Sequence, residues 1–296
     1  MKASRTRSAF LHLPGYGPRK IETLQARGIA NWDDLLHHHH HDLPGFEESS
    51  PDWVKAIRRD EAALAAGDLA HLVATLHRSD HWRILADFRD RATYLDIETS
   101  GDQLRPEITL IIVKHRGVLH TFTAEHNLEA FLPLLDEISL LVTFNGASFD
   151  VPQLENHFHI PLRDLPHIDL RWSCYHAGLR GGLKEIERSI GLVRPADLIG
   201  MDGGEADWLW RRWKDTGNRS LLQRLTRYCA ADVVGLEHLA HWLFAHLGGE
   251  PYPSYQWDDL RGLPASEASA PTPAPPPPAS PDRHLRDRLR RSLRSS

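Results

Sequence analysis

The stretch "ATYLDIE", Ala92–Glu98, constrains the fold more than any other part of the chain. Its Thr, Tyr, Leu and Ile predict a strand, and along a strand residues i and i+2 point to the same face. Asp96 and Glu98 therefore aim both carboxylates at one spot. Like charges that close destabilise one another unless a cation lies between them. Two more β-type runs follow, "ITLIIVKH" and "VLHTFT", with Arg116-Gly117 as the tight turn between them.

After this meander the period changes repeatedly. "LEAFLPLLDEI" has helical spacing, "LLVTFN" reads as a buried strand, "VPQLENHF" as a helix, "HIDL" as a short strand and "GGLKEIERSIGL" as a helix. "EADWLWRRWKD" and a long helix from about Ser220 to Leu247 complete the series. Three strands in a meander followed by alternating helices and strands predict an α/β layered domain with a mixed sheet. Composition divides the rest: residues 1–50 with a Gly-rich turn and five histidines, a helical connector over 51–90, the main domain over 91–248, a Pro/Ala/Ser linker over 262–282 and a basic tail over 283–296.

With 296 residues, 41% of them apolar and 25% charged, the chain has the composition of a globular protein. It contains no run approaching the ~20 apolar residues of a membrane span, and the basic N-terminus lacks the apolar segment of a signal peptide. Its two cysteines, Cys174 and Cys229, suggest no disulfide framework, so a reducing cytoplasm is the expected compartment. The net charge of −5 hides basic ends around an acidic middle, a distribution suited to an acid-rich centre that acts on a polyanion.

Two more acids complete that centre. Asp150 follows the fourth strand in "FNGASFD", at the start of a helix, and Asp232 lies in "YCAADVV" on the last helix. If these segments flank the first strand, four carboxylates converge on one pocket. Hard oxygen ligands of this kind suit Mg²⁺ or Mn²⁺. Two such ions ~3.5–4 Å apart activate a water and stabilise the leaving oxygen in phosphodiester hydrolysis. Tyr228 stands four residues before Asp232, on the same helix face, where a phenol would position the attacking water rather than remove its proton.

D-x-E on a first strand, N-G-x-x-F-D after a later one and Y-x-x-x-D on a last helix resemble the three motifs of the DEDD exonuclease superfamily, in its DEDDy branch. "HWRILADFRDRATYLDIETSG", "RGGLKEIERSIGL" and "YCAADVVGLEHL" are similar to the bacterial YprB-type RNase H-like family, over roughly residues 80–247. The resemblance implies an RNase H-like mixed sheet flanked by helices, preceded by a small helical region, and 3′→5′ hydrolysis of DNA or RNA at a single-stranded 3′ end. It implies that Asp96, Glu98 and Asp232 hold one metal, that Asp96 holds a second, that Asp150 acts directly or through water, and that Tyr228 orients the nucleophile. Cys229 departs from the Tyr-Asn pair of the YprB type. On a neighbouring helix face, it is expected to leave the chemistry unchanged. A nucleic-acid-binding scaffold with a vestigial site and a structure-selective endonuclease remain the alternatives.

Other residues have two readings each. Lys184 opens the "GGLKEIE" helix, where it would meet a phosphate or simply lie at the surface. Asn145 contacts the nucleic-acid backbone or braces its own turn, and Asp169 is expected to cap a helix. "LPGYGPRKIETL" has the form of a helix-hairpin-helix, in which Gly15 and Gly17 let backbone N–H groups approach a phosphate while Arg19 and Lys20 supply charge. Trp208, Trp210 and Trp213 at helical spacing are expected in the core or an interface rather than as base-stacking platforms. The His37–His41 run is expected to be a solvated loop, and the basic tail either a solubilising segment or a source of non-specific affinity for nucleic acid.

Overall fold

Apolar residues at helical spacing between residues 18 and 87 fold into α1 (Pro18–Ala26), α2 (Trp32–His37), α3 (Asp52–Ala66), α4 (Leu69–Thr75) and α5 (His81–Asp87). The structure is a computed structural model that describes residues 4–37, 52–102, 105–253, 257–261 and 263. The histidine run beyond His37, nearly all of the Pro/Ala/Ser linker and the whole basic tail fall outside the described residues. Pro18 at the first position of α1 supplies a φ already suited to a helix. A buried carboxylate holds this helical region together. Asp60 on α3 lies with one oxygen 2.9 Å from His12 Nε2 and the other 2.8 Å from His71 Nε2 on α4.

The three β-type runs form β1 (Ala92–Asp102), β2 (Arg105–His115) and β3 (Val118–Thr123) as an antiparallel meander. Arg116 and Gly117 both take positive φ, 48° and 79°, as a two-residue hairpin turn requires. The short β4 (Leu140–Thr143) and β5 (His167–Asp169) continue the sheet in parallel on the other side of β1. The order is β3-β2-β1-β4-β5, a mixed sheet with β1 at its centre.

Helices cover both faces: α6 (Phe131–Leu135), α7 (Asp150–Phe158), α8 (Leu170–His176), α9 (Leu183–Ser189), α10 (Gly203–Thr216) and the 30-residue α11 (Arg219–Gly248). Alternation along β1 sorts its side chains. Leu95 and Ile97 join Phe131, Leu135 and Leu154 in one core, whereas Tyr94 joins the core built on α11. Asp96 and Glu98 share the parity of Tyr94 and so face α11.

Two features differ from the sequence expectation. β1 runs four residues beyond Glu98 through a bulge between Glu98 and Thr99. The chain also turns directly from β5 into α8, whose first turn is capped by Asp169 accepting from the Arg171 N–H at 3.0 Å. Trp210 is buried and Trp213 packs against the core, while Trp208 is 46% exposed. Among the described residues, no helix is long and apolar enough to cross a membrane.

Candidate functional site

Because β1 and β4 are parallel, the second half of β1 and the segment leaving β4 lie at the same end of the sheet. The link from β4 into α7 is a tight turn. A Cβ at Gly146 would collide with the Thr143 side chain, so the chain passes here only with glycine. The turn delivers Asp150 to the first turn of α7, where its Oδ1 accepts from the Ile97 N–H at 3.2 Å. That bond ties Asp150 to the strand between Asp96 and Glu98.

From the other side α11 brings Tyr228 and Asp232, one turn apart. Asp96 and Glu98 are half-buried, while Asp150, Tyr228 and Asp232 are buried. The four acids are close enough to act on one another. Burial first, then Asp232, Asp150 and Glu98, push the Asp96 carboxyl well above its ordinary range. Burial and the charges of Asp232 and Asp150 raise Glu98 to about 8, against a partly opposing Lys184. Burial raises Asp150 to about 7, despite the backbone N–H groups it accepts from. The same surroundings raise the Tyr228 phenol, so it stays protonated at any ordinary pH.

Two cations reach into this centre. Lys184 on α9 donates to the Tyr228 hydroxyl at 2.5 Å, and its Nζ lies 3.7 Å from Asp232 Oδ2. Arg194 donates to Asp232 Oδ1 and, through Nε and a terminal nitrogen, to both oxygens of Glu187 at 2.6 and 2.7 Å. Burial opposes the Arg194 charge, but the Asp232 and Glu187 carboxylates hold its proton firmly. Gly235, on the turn after Asp232, leaves room for this arrangement, since a Cβ there would collide with Glu187 Oε1.

The Cys229 thiol lies 3.3 Å from Asp96 Oδ2 and donates to it, because α11 packs on β1 at this point. Burial, then Asp96 and the other carboxylates, raise the thiol well above its usual range. Ligand atoms of Asp96, Glu98 and Cys229 all lie within 4.8 Å of one another. Carboxylate oxygens dominate this donor set, with one thiol beside them; hard divalent cations suit the oxygens, and binding one would displace the protons that burial and crowding favour here.

The remaining predicted residues divide between the centre and other places. Asn145 takes φ 63° and braces its own turn: its N–H donates to Asp169 Oδ1 at 2.7 Å, and its Oδ1 accepts from Ser148 Oγ at 3.0 Å and from Arg171. Asp169 also accepts from the Ala147 N–H at 3.2 Å, so it fixes this turn as well as capping α8. Gly15, with φ 81°, Gly17, Arg19 and Lys20 lie at the entry to α1, a segment tied into the helical region by Tyr16 packing edge-on to Trp53. The structure does not bring them to the carboxylates.

Sequence reading missed Arg194 and Glu187. Glu187 had a faint signal, because it shares a helix face with Lys184 three positions earlier. Arg194 had none, because its partner Asp232 is 38 residues away and the pairing exists only after folding.

A mixed sheet of this order, with acids on its central strand and on the helices beside it, defines an α/β domain organised around a carboxylate centre. Residues 93–244 match the family model RNase_H_2, described as RNase_H superfamily, and the chain belongs to that superfamily. No curated protein matches the chain. Among solved structures it is similar to the family B DNA polymerase from the hyperthermophilic archaeon Pyrobaculum calidifontis, at 22% identity and a TM-score of 0.37, covering 52% of this chain and 24% of the polymerase. The chain thus matches under a quarter of the polymerase's length.

Proposed function

We propose that the protein is a metal-dependent 3′→5′ exonuclease of the YprB type within the DEDDy group, acting on DNA or RNA with a single-stranded 3′ end. One arrangement carries the reading: Asp150 on α7 accepts from the Ile97 N–H between Asp96 and Glu98, the Cys229 thiol of α11 reaches Asp96 Oδ2 at 3.3 Å, and Tyr228 stands one turn before Asp232 on that helix. In this reading Asp96, Glu98, Asp150 and Asp232 hold two Mg²⁺ or Mn²⁺ ions. When bound there, such ions supply Lewis-acid polarisation of the phosphoryl oxygen and stabilise charge on the attacking and leaving oxygens.

The chain's own groups do the positioning. Tyr228, kept protonated by burial and by the acids around it, orients the attacking water by hydrogen bonding and does not take its proton. Arg194 holds one oxygen of Asp232, while the other lies 3.7 Å from Lys184 Nζ. Lys184, at the cleft edge, offers its ammonium to the scissile phosphate. The water oxygen bonds to phosphorus as the P–O3′ bond breaks; the water gives up a proton to solvent and O3′ takes one from solvent, releasing a nucleoside 5′-monophosphate and leaving a chain shorter by one with a 3′-hydroxyl.

Residues 91–248 form the exonuclease domain in this reading and 51–90 its helical connector. Residues 1–50 form a helix-hairpin-helix-like element, in which Gly15 and Gly17 present backbone N–H groups, and Arg19 and Lys20 charge, to a phosphate. The test is a time course on 5′-labelled single-stranded DNA and RNA with Mg²⁺ or Mn²⁺, wild type against Asp96→Ala. A ladder shortening from the 3′ end, abolished in the variant, is the expected result. Cleavage of a circular strand would replace the exonuclease by an endonuclease, and undiminished cleavage by Asp96→Ala would overturn the site.

A further inference from the structure

Close to the carboxylate centre, α8 presents a face that the hydrolytic reading does not use. Trp172 is 40% exposed and Tyr175 51% exposed, although large aromatics belong to the core when nothing else claims them. At i and i+3 they stand side by side on one helix face, with Cβ atoms about 5–6 Å apart. Each ring has an arginine stacked on it. The Arg78 guanidinium lies 5.2 Å from the Trp172 ring centre, and that of Arg180 lies 3.8 Å from the Tyr175 ring centre. Arg180 is held there by donating to the Tyr175 and Leu179 carbonyls at 2.6 and 2.8 Å.

The acids nearby are engaged elsewhere: Glu185, beside Gly181, accepts from the Gly182 N–H at 2.9 Å. Asp169 is committed to the N–H groups of Asn145, Ala147 and Arg171. Asp80 is buried and paired with Arg83 at 2.8 Å. The face is also continuous with the centre at both ends. Arg171 donates to Asn145, on the turn that leads into Asp150, and Gly181-Gly182 separates Arg180 from the helix that carries Lys184 onto Tyr228.

We propose that this face of α8 is a stacking platform for the bases of a single nucleic-acid strand whose 3′ end enters the carboxylate centre. The proposal rests on the nuclease reading above for the direction of the strand. The partly exposed rings offer area on which bases can stack, and the arginines packed on them bring positive charge beside that area for phosphates; the His176 ring meets Tyr175 edge-on with centroids 5.5 Å apart. A polyanion with exposed bases matches both the charge and the aromatic surface. Stacking of this kind tolerates any base, so the platform would hold substrate without reading sequence.

The test is fluorescence anisotropy of the full chain with a labelled single-stranded 12-mer and with a blunt duplex, in EDTA so that the probe survives. Trp172→Ala and Tyr175→Ala should each weaken single-strand binding at least about fivefold, with Trp172→Phe retaining most of it. Arg78→Ala should reduce the slope of log K against log salt by about 0.7. Because both aromatics are exposed, circular dichroism and thermal unfolding should match wild type. Unchanged affinity in the double alanine variant would overturn the platform and leave the face to a protein partner. An equal loss on blunt duplex would overturn it too, because paired bases offer no free face. So would a wild type that binds no single strand. Turnover of the 12-mer in Mn²⁺ separates the two readings: binding through the aromatics without turnover retains the platform and removes the nuclease, and turnover with unchanged affinity in the variants does the reverse.

Discussion

Asp60 and Asp96 are both carboxylates drawn away from bulk water, and the fold treats them in opposite ways. Asp60 has one histidine on each oxygen, at 2.9 and 2.8 Å, and its side chain is 1% exposed. Among the described residues Asp96 accepts from the Cys229 thiol, and it faces three other acids. Burying a carboxylate costs stability unless it is paired. The helical region satisfies that requirement within itself, while the sheet leaves it open to be met by something from solution. Asp60 finds its partners within the helical region; at the sheet Asp232 is paired with Arg194, whereas half-buried Asp96 and Glu98 face further acids.

Substitutions at the two carboxylates and their neighbours put this contrast at risk. The largest effect expected is from Asp96→Asn, which should lower hydrolysis by at least ~10³-fold, as loss of ~4 kcal/mol of transition-state stabilisation does. The same change should raise the unfolding midpoint of the metal-free protein. Asp60→Asn should do the opposite, lowering stability by about 1–3 kcal/mol for the partner left unmatched while kcat per folded molecule stays constant. If the two variants behaved alike in urea unfolding and in hydrolysis, the distinction would be lost. Tyr228→Phe should slow turnover by about 10²-fold while Mn²⁺ affinity stays unchanged, because the hydroxyl positions water and holds no ion. Loss of Mn²⁺ binding in isothermal titration would instead give Tyr228 a structural role.

A pH series tests the repulsion itself. Glu98 near 8 and Asp150 near 7 are raised in the folded state, so the folded chain carries more protons than the unfolded chain between about pH 4 and 8. Their contribution to stability is full below the unfolded values and is lost as pH rises through the folded ones. On account of these groups, metal-free protein should melt at a lower temperature at pH 8.5 than at pH 5.5. The stabilisation added by Mn²⁺ should grow over the same interval, since the ion competes with those protons. A gap between chelated and Mn²⁺-loaded melting curves that does not change with pH would mean that burial and the neighbouring acids do not raise these carboxyls. The smallest effect belongs to Cys229→Ala. It removes one weak donor from Asp96 and should change turnover by no more than about fivefold.

How far the sequence carries such a contrast varies from residue to residue. The meander, the long last helix and the acids of the centre were legible because strand parity and helical spacing are local properties of β1 and α11. α8 was not, because seven residues after a strand offer too few turns for a period to emerge. The contact of Cys229 with Asp96 has no local signal either, because the packing of α11 on β1 creates it. Asp60 and His12 lie 48 residues apart and meet only when the N-terminal region packs. Their pairing, like that of Arg194 with Asp232, is a property of the folded chain.

The parallel pairing of β1 and β4 and the docking of α11 have a consequence in time. Cys229 reaches Asp96 across 133 positions of chain, and Asp150 must be delivered between them. Contacts of such long range form late, after the loops between them have closed. During synthesis, a ribosome that has just finished the meander exposes a strand with two acids and nothing to answer them. The carboxylate centre comes together only when the last long helix has been translated and has packed on β1, and a chain stopped before Arg219 has neither Tyr228 nor Asp232 to bring to it.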